Sequence, residues 1–173
     1  MKILNRALMQ NLTEQAQKNP RLRQHHNLHD SYDEPSQRLL NAMEPNSYIR
    51  PHRHLSDPKP EAFIGIRGKM ALLIFSEEGK IEQIYPFGPN EDVVGVDLPP
   101  GIWHTVVSLE EGSIFYETKP GPFNPINPKD FAPWAPDPDS TDALKYLQSL
   151  RQACKLINDV IPEDCCRVSR QDE

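Results

Sequence analysis

Between residues 61 and 119 the chain alternates short apolar or mixed runs with turn-forming clusters. The runs are AFIGIRG, KMALLIFS, KIEQIYPF, VVGVDLP, WHTVVSL and GSIFYETK, and the clusters are EEGK, GPNED, PPG and EEG. Runs of this length, rich in Ile, Val, Phe and Tyr, predict antiparallel strands of a sandwich or barrel. Upstream, Gln37–Met43 and a turn at Glu44-Pro45-Asn46 lead into SYIRPHRH, which reads as an extended approach to the same body. A helical period flanks this region on both sides. Leu4, Ala7, Leu8, Leu12 and Ala16 fall on one face, with Asn5 placed to cap, and predict a short amphipathic helix packed outside the main body. Near the C-terminus, Asp139 or Ser140 would cap a helix whose apolar positions are Leu144, Leu147, Leu150, Cys154, Ile157 and Ile161. That stripe reads as a docking face, with a dimer contact as the alternative.

Two stretches follow neither period. Residues 18–36 are polar, carry Arg23, His25, His26, Asn27 and His29, and are expected to form an ordered loop. The segment KPGPFNPINPKDFAPWAPDPD holds seven prolines, so it should run as an extended strap pinned by Phe123, Phe131 and Trp134. The polar tail from Glu163 is expected to fray. The chain thus divides into an N-terminal helix and loop (1–36), a β-barrel (37–119), a Pro-rich strap (120–139) and a C-terminal helix and tail (140–173). At 173 residues these parts fit one domain around one core, and the predicted fold class is all-β.

Composition sharpens this picture. Eighteen prolines against eight glycines, with 37% hydrophobic residues, argue for a turn-rich fold and against a largely helical one. A net charge of −6 leaves no basic stripe for phosphate backbones, so neither nucleic acid nor an anionic membrane surface is an expected partner. No apolar run approaches the roughly 20 residues that span a bilayer, and MKILNRALMQ is followed by a polar helix-like stretch, so a cytoplasmic location is expected. The three cysteines, Cys154, Cys165 and Cys166, are odd in number and clustered, which fits reduced thiols. Vicinal Cys165 and Cys166 read as an inert tail, with metal binding or oxidation as the alternative.

The candidate chemistry begins at RPHRH. Alternate residues of a strand face the same way, so Arg50, His52 and His54 should project together. Neutral imidazole suits Zn, Fe, Ni and Cu, and a carboxylate accommodates harder ions such as Mn. Glu61 opens the next strand and can supply that carboxylate. The turn Pro99-Pro100-Gly101 redirects the chain toward His104, a third imidazole from a distant strand. An isolated His-x-His is more often a surface pair than a ligand set. The order His52-x-His54, Glu61, Gly68, then Pro99-x-Gly101-x-x-His104 resembles the two cupin motifs, which supply three histidines and a glutamate to a metal. The spacer from His54 to Glu61 is longer than usual in that pattern, and Ser108 stands where an Asn is usual. Neither departure removes a ligand, and the prolines of SDPKP should make a wider loop at the rim.

The resemblance extends over about residues 1–140. NLHDSYDEPSQRLLNAMEPNSYIRPHRH, FIGIRG, PPGIWHTVVSLEEG, ETKPGPF and DFAPWAP are similar to the WbuC-type cupin-fold metalloproteins. This implies a cupin jelly-roll barrel holding one divalent transition metal (Zn, Fe, Ni or Mn) through His52, His54, Glu61 and His104, with a role near surface-polysaccharide or nucleotide-sugar metabolism. It also implies that the loop bearing Arg23, Asn27 and His29 folds over the barrel mouth to bind an anionic or hydroxylated ligand. A surface loop of incidental polarity is the alternative.

Arg50 is expected beside the metal, clamping a carboxylate or phosphate, or else in a salt bridge to Glu61 or Glu117. Glu117, Lys119 and His29 are the candidate proton-transfer residues. Tyr48 and Trp103 are candidate apolar walls, with core packing as the alternative, and Gln37 and Arg38 are candidate supports. Two functions stay open. One is a metalloenzyme, with the metal as Lewis acid in isomerase or epimerase, lyase or oxygenase chemistry. The other is a non-catalytic module that binds or senses a small sugar or acid. A homodimer is expected because two-fold pairs are the commonest assembly.

Overall fold

The computed structural model describes residues 1–123 and 129–158. Its elements run α1 (Arg6–Lys18), β1 (Arg23–Asn27), β2 (Ser36–Met43), β3 (His52–Arg53), β4 (Glu61–Arg67), β5 (Met70–Phe75), β6 (Ile81–Phe87), β7 (Gly95–Leu98), β8 (Trp103–Ser108), β9 (Ser113–Pro120), β10 (Asp130–Phe131) and α2 (Ala143–Asn158). The strands form two five-stranded sheets, in the orders β1-β2-β9-β4-β7 and β10-β3-β8-β5-β6. Every pairing is antiparallel. The architecture is an all-β jelly roll with a short helix at each end.

Strand periodicity explains how one chain builds three apolar clusters. Along β5, Met70 and Leu72 point between the sheets, where they meet Met43, Phe63, Phe87, Leu98, Val106 and Phe115. The intervening Ala71, Leu73 and Phe75 point to the other face, under Leu147, Leu150 and Cys154 of α2. A strand covered on both faces reads as a continuous apolar run, which is why MALLIF shows no alternation. On the first sheet, Leu40, Ala42 and Ile114 lie under Met9, Leu12 and Ala16 of α1. Each fully buried Leu in these clusters is worth roughly 1.5–3 kcal/mol of transfer free energy.

Asn5 caps α1 as the sequence suggests, whereas α2 begins at Ala143, three residues after Ser140, whose hydroxyl accepts from the Asp142 N–H at 3.1 Å. The Asn5 side chain accepts from the Leu8 N–H at 2.9 Å, closing the first turn of α1. In α2 the covered positions are Ala143, Leu147, Leu150 and Cys154, whereas Leu144 is 51% exposed and lies off the docking face. Ile157 and Ile161, the tail from Glu163, and with it Cys165 and Cys166, lie outside the described side chains.

Residues 18–36 are not simply a loop, because Arg23–Asn27 form edge strand β1, paired with β2 from Arg23↔Met43 to Asn27↔Leu39. Among its described residues the strap adds the two-residue edge strand β10, a position compatible with its prolines. Trp134 anchors it on Phe75 with ring centroids 5.1 Å apart, and Phe123 meets Tyr32 at 5.1 Å. Phe131 stays 48% exposed. Gly68 (φ 70°) and Gly101 (φ 81°) occupy left-handed backbone at the turns before β5 and β8, where a Cβ would be strained.

Candidate metal centre

Three strands and one turn bring the four motif residues together between the sheets. His52 on β3 and His104 on β8 are direct cross-strand partners, and their ring centroids are 4.5 Å apart. Glu61 opens β4 on the opposite sheet. His54 leaves β3 into the wide 55–58 turn, whose Leu55 and Ser56 N–H groups donate to Asp130 at 3.0 and 2.9 Å. The His54 carbonyl accepts from Gly101 N–H at 3.1 Å, tying the Pro-Pro-Gly turn to the histidine pair. Donor atoms of His52, His54 and Glu61 lie within 4.8 Å of one another. Nε2 of His104 is 3.1 Å, and Nε2 of His54 3.4 Å, from Oε2 of Glu61. All four residues are buried.

The hydrogen bonds behind the rings set their tautomers. Nδ1 of His52 faces the Arg50 carbonyl at 3.0 Å and Nδ1 of His104 faces the Ile102 carbonyl at 2.9 Å. A carbonyl only accepts, so each Nδ1 carries the proton and each Nε2 presents a lone pair inward. Nε2 of His54 and His104 and Oε2 of Glu61 are buried without a hydrogen-bond partner among the described residues. Acceptors converging at these distances repel unless a cation or a proton stands between them. The donor set of nitrogen and carboxylate ligands fits a divalent transition ion, and its His-x-His, Glu and distant His supply no sulfur.

Charges around the centre are strongly organised. Lys119 Nζ lies 2.8 Å from Glu61 Oε1 and 2.7 Å from Glu117 Oε1, and Asn41 donates to Glu117 Oε2 at 2.8 Å. Burial alone would lower the Lys119 pKa, but the two carboxylates more than reverse this and hold it above the ordinary lysine value. Burial pushes the Glu61 carboxyl up, the adjacent Lys119 cation works against it, and the direction of the balance is below the usual carboxylate range. His52 is held well below the ordinary histidine value by burial first and by Lys129 second. Lys129, at the start of the strap strand, places Nζ 3.4 Å from Nε2 of His52. Burial, then the charge of Lys119, brings its pKa down to about 8.

A cavity of about 440 Å³ opens over the centre. Its wall includes alternate residues of β1 and its approach (Arg21, Arg23, His25, Asn27, His29), with Gln37, Asn41, Glu117, Lys119 and Lys129. Arg23 donates to the Tyr48 carbonyl at 2.6 Å and, at 3.4 Å, to Ser47. Asn27 reaches the Tyr32 hydroxyl at 3.4 Å, and Gln37 braces the turn at the Glu34 and Tyr32 carbonyls (2.9 and 3.2 Å). Nδ1 of His29 lies 3.1 Å from the Arg38 N–H and 3.0 Å from the Arg38 carbonyl, and its Nε2 is a buried atom without a partner among the described residues.

Four expected placements differ. Trp103 adjoins His104 in sequence and therefore faces the other side of β8, where it lies in the α2 cluster, donates to Glu77 at 2.9 Å and carries Arg53 over its ring at 4.1 Å. Tyr48 belongs to the same cluster and donates to the Pro136 carbonyl at 2.9 Å. Arg50 precedes Pro51 and lies outside β3, so strand alternation does not carry it to the histidine face; it donates to the Ala132 carbonyl at 2.9 Å and pairs with Asp137 at 3.4 Å. Arg38 points away from the cavity and pairs with Glu34. Lys119, clamped as a cation between two carboxylates, is an electrostatic anchor in place of a base. Sequence reasoning had no spacing rule for Lys129, Arg21 or Asn41. The period-2 polar series 21, 23, 25, 27, 29 was the available signal for the β1 wall.

Two antiparallel sheets rolled around such a centre define a cupin-fold protein. A protein-family model described as a domain of unknown function (DUF6016) matches residues 4–86, just under half of the chain. The crystal structure of CapF with the inhibitor 3-isopropenyl-tropolone is similar with a TM-score of 0.51 and 20% identity, over 62% of this chain and 30% of CapF. CapF from Staphylococcus aureus, described as a capsular polysaccharide assembling protein, gives 0.48 and 20% over 62% of this chain and 29% of that one. KdgF from Halomonas sp. gives 0.46 and 14% over 59% and 82%. This chain thus spans less than a third of the CapF chains it matches. No curated protein matches it.

Proposed function

We propose that this protein is a metal-binding cupin of the WbuC type that acts on a small polar ligand, a sugar, nucleotide sugar or organic acid, in surface-polysaccharide metabolism. The observation that carries the reading is the convergence of His104 Nε2, whose lone pair faces inward, and of His54 Nε2 on Glu61 Oε2, at 3.1 and 3.4 Å, all three buried without a hydrogen-bond partner among the described residues. His52, His54, Glu61 and His104 would hold the ion. Bound there, a divalent metal supplies Lewis-acid polarisation of a ligand oxygen.

The chain's own groups do the rest. Asn27 and His29 Nε2 offer directional hydrogen-bonding groups to the ligand, Arg23 and Gln37 hold the wall in place, and Glu117 is the nearest candidate for proton transfer. Lys119 fixes the positions of both carboxylates. Among the described residues no helix is long and apolar enough to cross a membrane. A cytoplasmic homodimer is part of the same reading.

A binding module without turnover is the second reading, favoured by the engagement of both Glu117 oxygens, one by Lys119 and one by Asn41. The test is elemental analysis of wild type, His52→Ala and His104→Ala. Severalfold lower metal content with only partial loss of stability in both variants supports the ligand assignment, and full occupancy in both refutes it. Incubating the loaded protein with a ligand that stabilises it, then looking for consumption, separates enzyme from module.

A further inference from the structure

The cations on the cavity wall divide into two kinds. Lys119 is neutralised by Glu61 and Glu117 at 2.8 and 2.7 Å, which commits both carboxylates near the centre. Lys129, Arg21 and Arg23 have no carboxylate partner among the described residues. Lys129 faces only the lone-pair atom of His52, at 3.4 Å, and Arg23 is spent on a carbonyl and a hydroxyl. In a chain of net charge −6, with acidic groups in excess, three uncompensated cations on one cavity are the reverse of what composition alone would give. Lys129 and Arg23 are part-buried, where a cation without a counter-charge is costly and an anion from outside removes that cost, while the exposed Arg21 adds attraction at the rim. Tyr32 and Phe123, whose rings lie 5.1 Å apart on the same wall, add an apolar surface of the kind that packs on the face of a sugar ring.

We propose that the ligand of this cavity is an acidic monosaccharide, a sugar carboxylate or sugar phosphate, whose anionic group lies beside the metal centre at Lys129 while Arg21 and Arg23 make the far wall attractive to its charge. The proposal rests on the metal-centre reading for the position of the anion and narrows its ligand from polar to anionic. A volume of about 440 Å³ falls in the small-molecule range of roughly 300–1,000 Å³. Lys129 is a specificity residue in this account, because it touches the ligand and no described carboxylate.

The test titrates Mn²⁺-loaded full chain calorimetrically with D-glucose, D-glucuronate and D-glucose 6-phosphate, which share one ring and differ at one position, and measures bound metal in the same samples. At least one acid should bind about tenfold or more tighter than glucose, and the better of the two identifies carboxylate or phosphate. Lys129→Met and Arg21→Gln should each weaken that acid several-fold to about tenfold, with metal content and melting temperature near wild type. Equal or absent binding of all three sugars overturns the proposal, as does wild-type acid binding in both variants. The two readings fail separately. Metal uptake without acid preference removes this inference alone, whereas acid preference without metal uptake removes the metal centre and supports the cation cluster.

Discussion

Glu61 meets two opposing demands, since burial disfavours its charge while the Lys119 cation beside it favours it, and the favourable side wins. For His52, burial first and then the Lys129 charge outweigh Glu61 and the Arg50 carbonyl and keep it neutral, the form that binds a metal. These directions fix the pH response of metal-stripped protein. The folded His52 refuses a proton that the unfolded chain accepts near pH 6.5, so stability falls as pH drops below that value. Glu61 adds stability that is complete above its ordinary value of 4.5 and is lost as pH falls through its lower folded value. Melting temperature after chelation should therefore fall from pH 7.5 to 5.5 and more steeply below 4.5; a rise over the first interval would contradict the assignment.

At this scale the convergence of His52, His54, Glu61 and His104 was legible because the cupin motifs use few residue types in a fixed order. Trp103 takes its core-packing reading because sequence neighbours in a strand face opposite ways, and Lys129 went unread because a cation in a proline-rich strap carries no spacing signal.

The helices brace the sheets from outside and do not touch the centre. Leu12, 2% exposed under α1, and Leu147, 1% exposed under α2, each lose a packed side chain on truncation. Leu12→Ala and Leu147→Ala should each cost about 2–5 kcal/mol in denaturant unfolding, with bound metal per folded chain unchanged; loss of metal without loss of stability would place the helices in the site. Cys154 belongs to the α2 face, and burial pushes its thiol up to about 11. Peptide mapping after alkylation of native protein at pH 8 should find Cys154 unmodified, and rapid labelling there would mean that α2 does not dock.

Strands β4 to β9 were readable from turn residues and apolar runs, since both signals are local. Strand β1 was not, because it is an edge strand whose inner face lines a polar cavity, so its alternation is between one polar side chain and another. Leu144 was counted into the α2 stripe on spacing alone, and which side of a helix docks is settled by the sheet it meets.

Across the whole molecule, the metal would join elements that the sheets only bring near one another. His52, His54 and His104 come from one sheet and its turn, and Glu61 from the other, so an ion would cross-link the two layers of the jelly roll. A ligand that binds only the folded state at 100 times its Kd adds about 2.7 kcal/mol. Chelation should thus lower the melting temperature by several degrees, and one equivalent of metal should restore it; an unchanged melting curve would mean that no ion links the sheets. The jelly roll itself follows from the strand pattern, whereas the cavity's charge does not, because pairing among Lys119, Glu61 and Glu117 depends on β9 lying beside the distant start of β4.

The most direct measurement of the central claim is X-ray absorption spectroscopy of the purified protein together with its metal content. About one ion per chain, in a shell of nitrogen and oxygen donors with imidazole scattering that weakens in His104→Ala, is the predicted result. A metal-free protein, or an ion bound by sulfur, would contradict it.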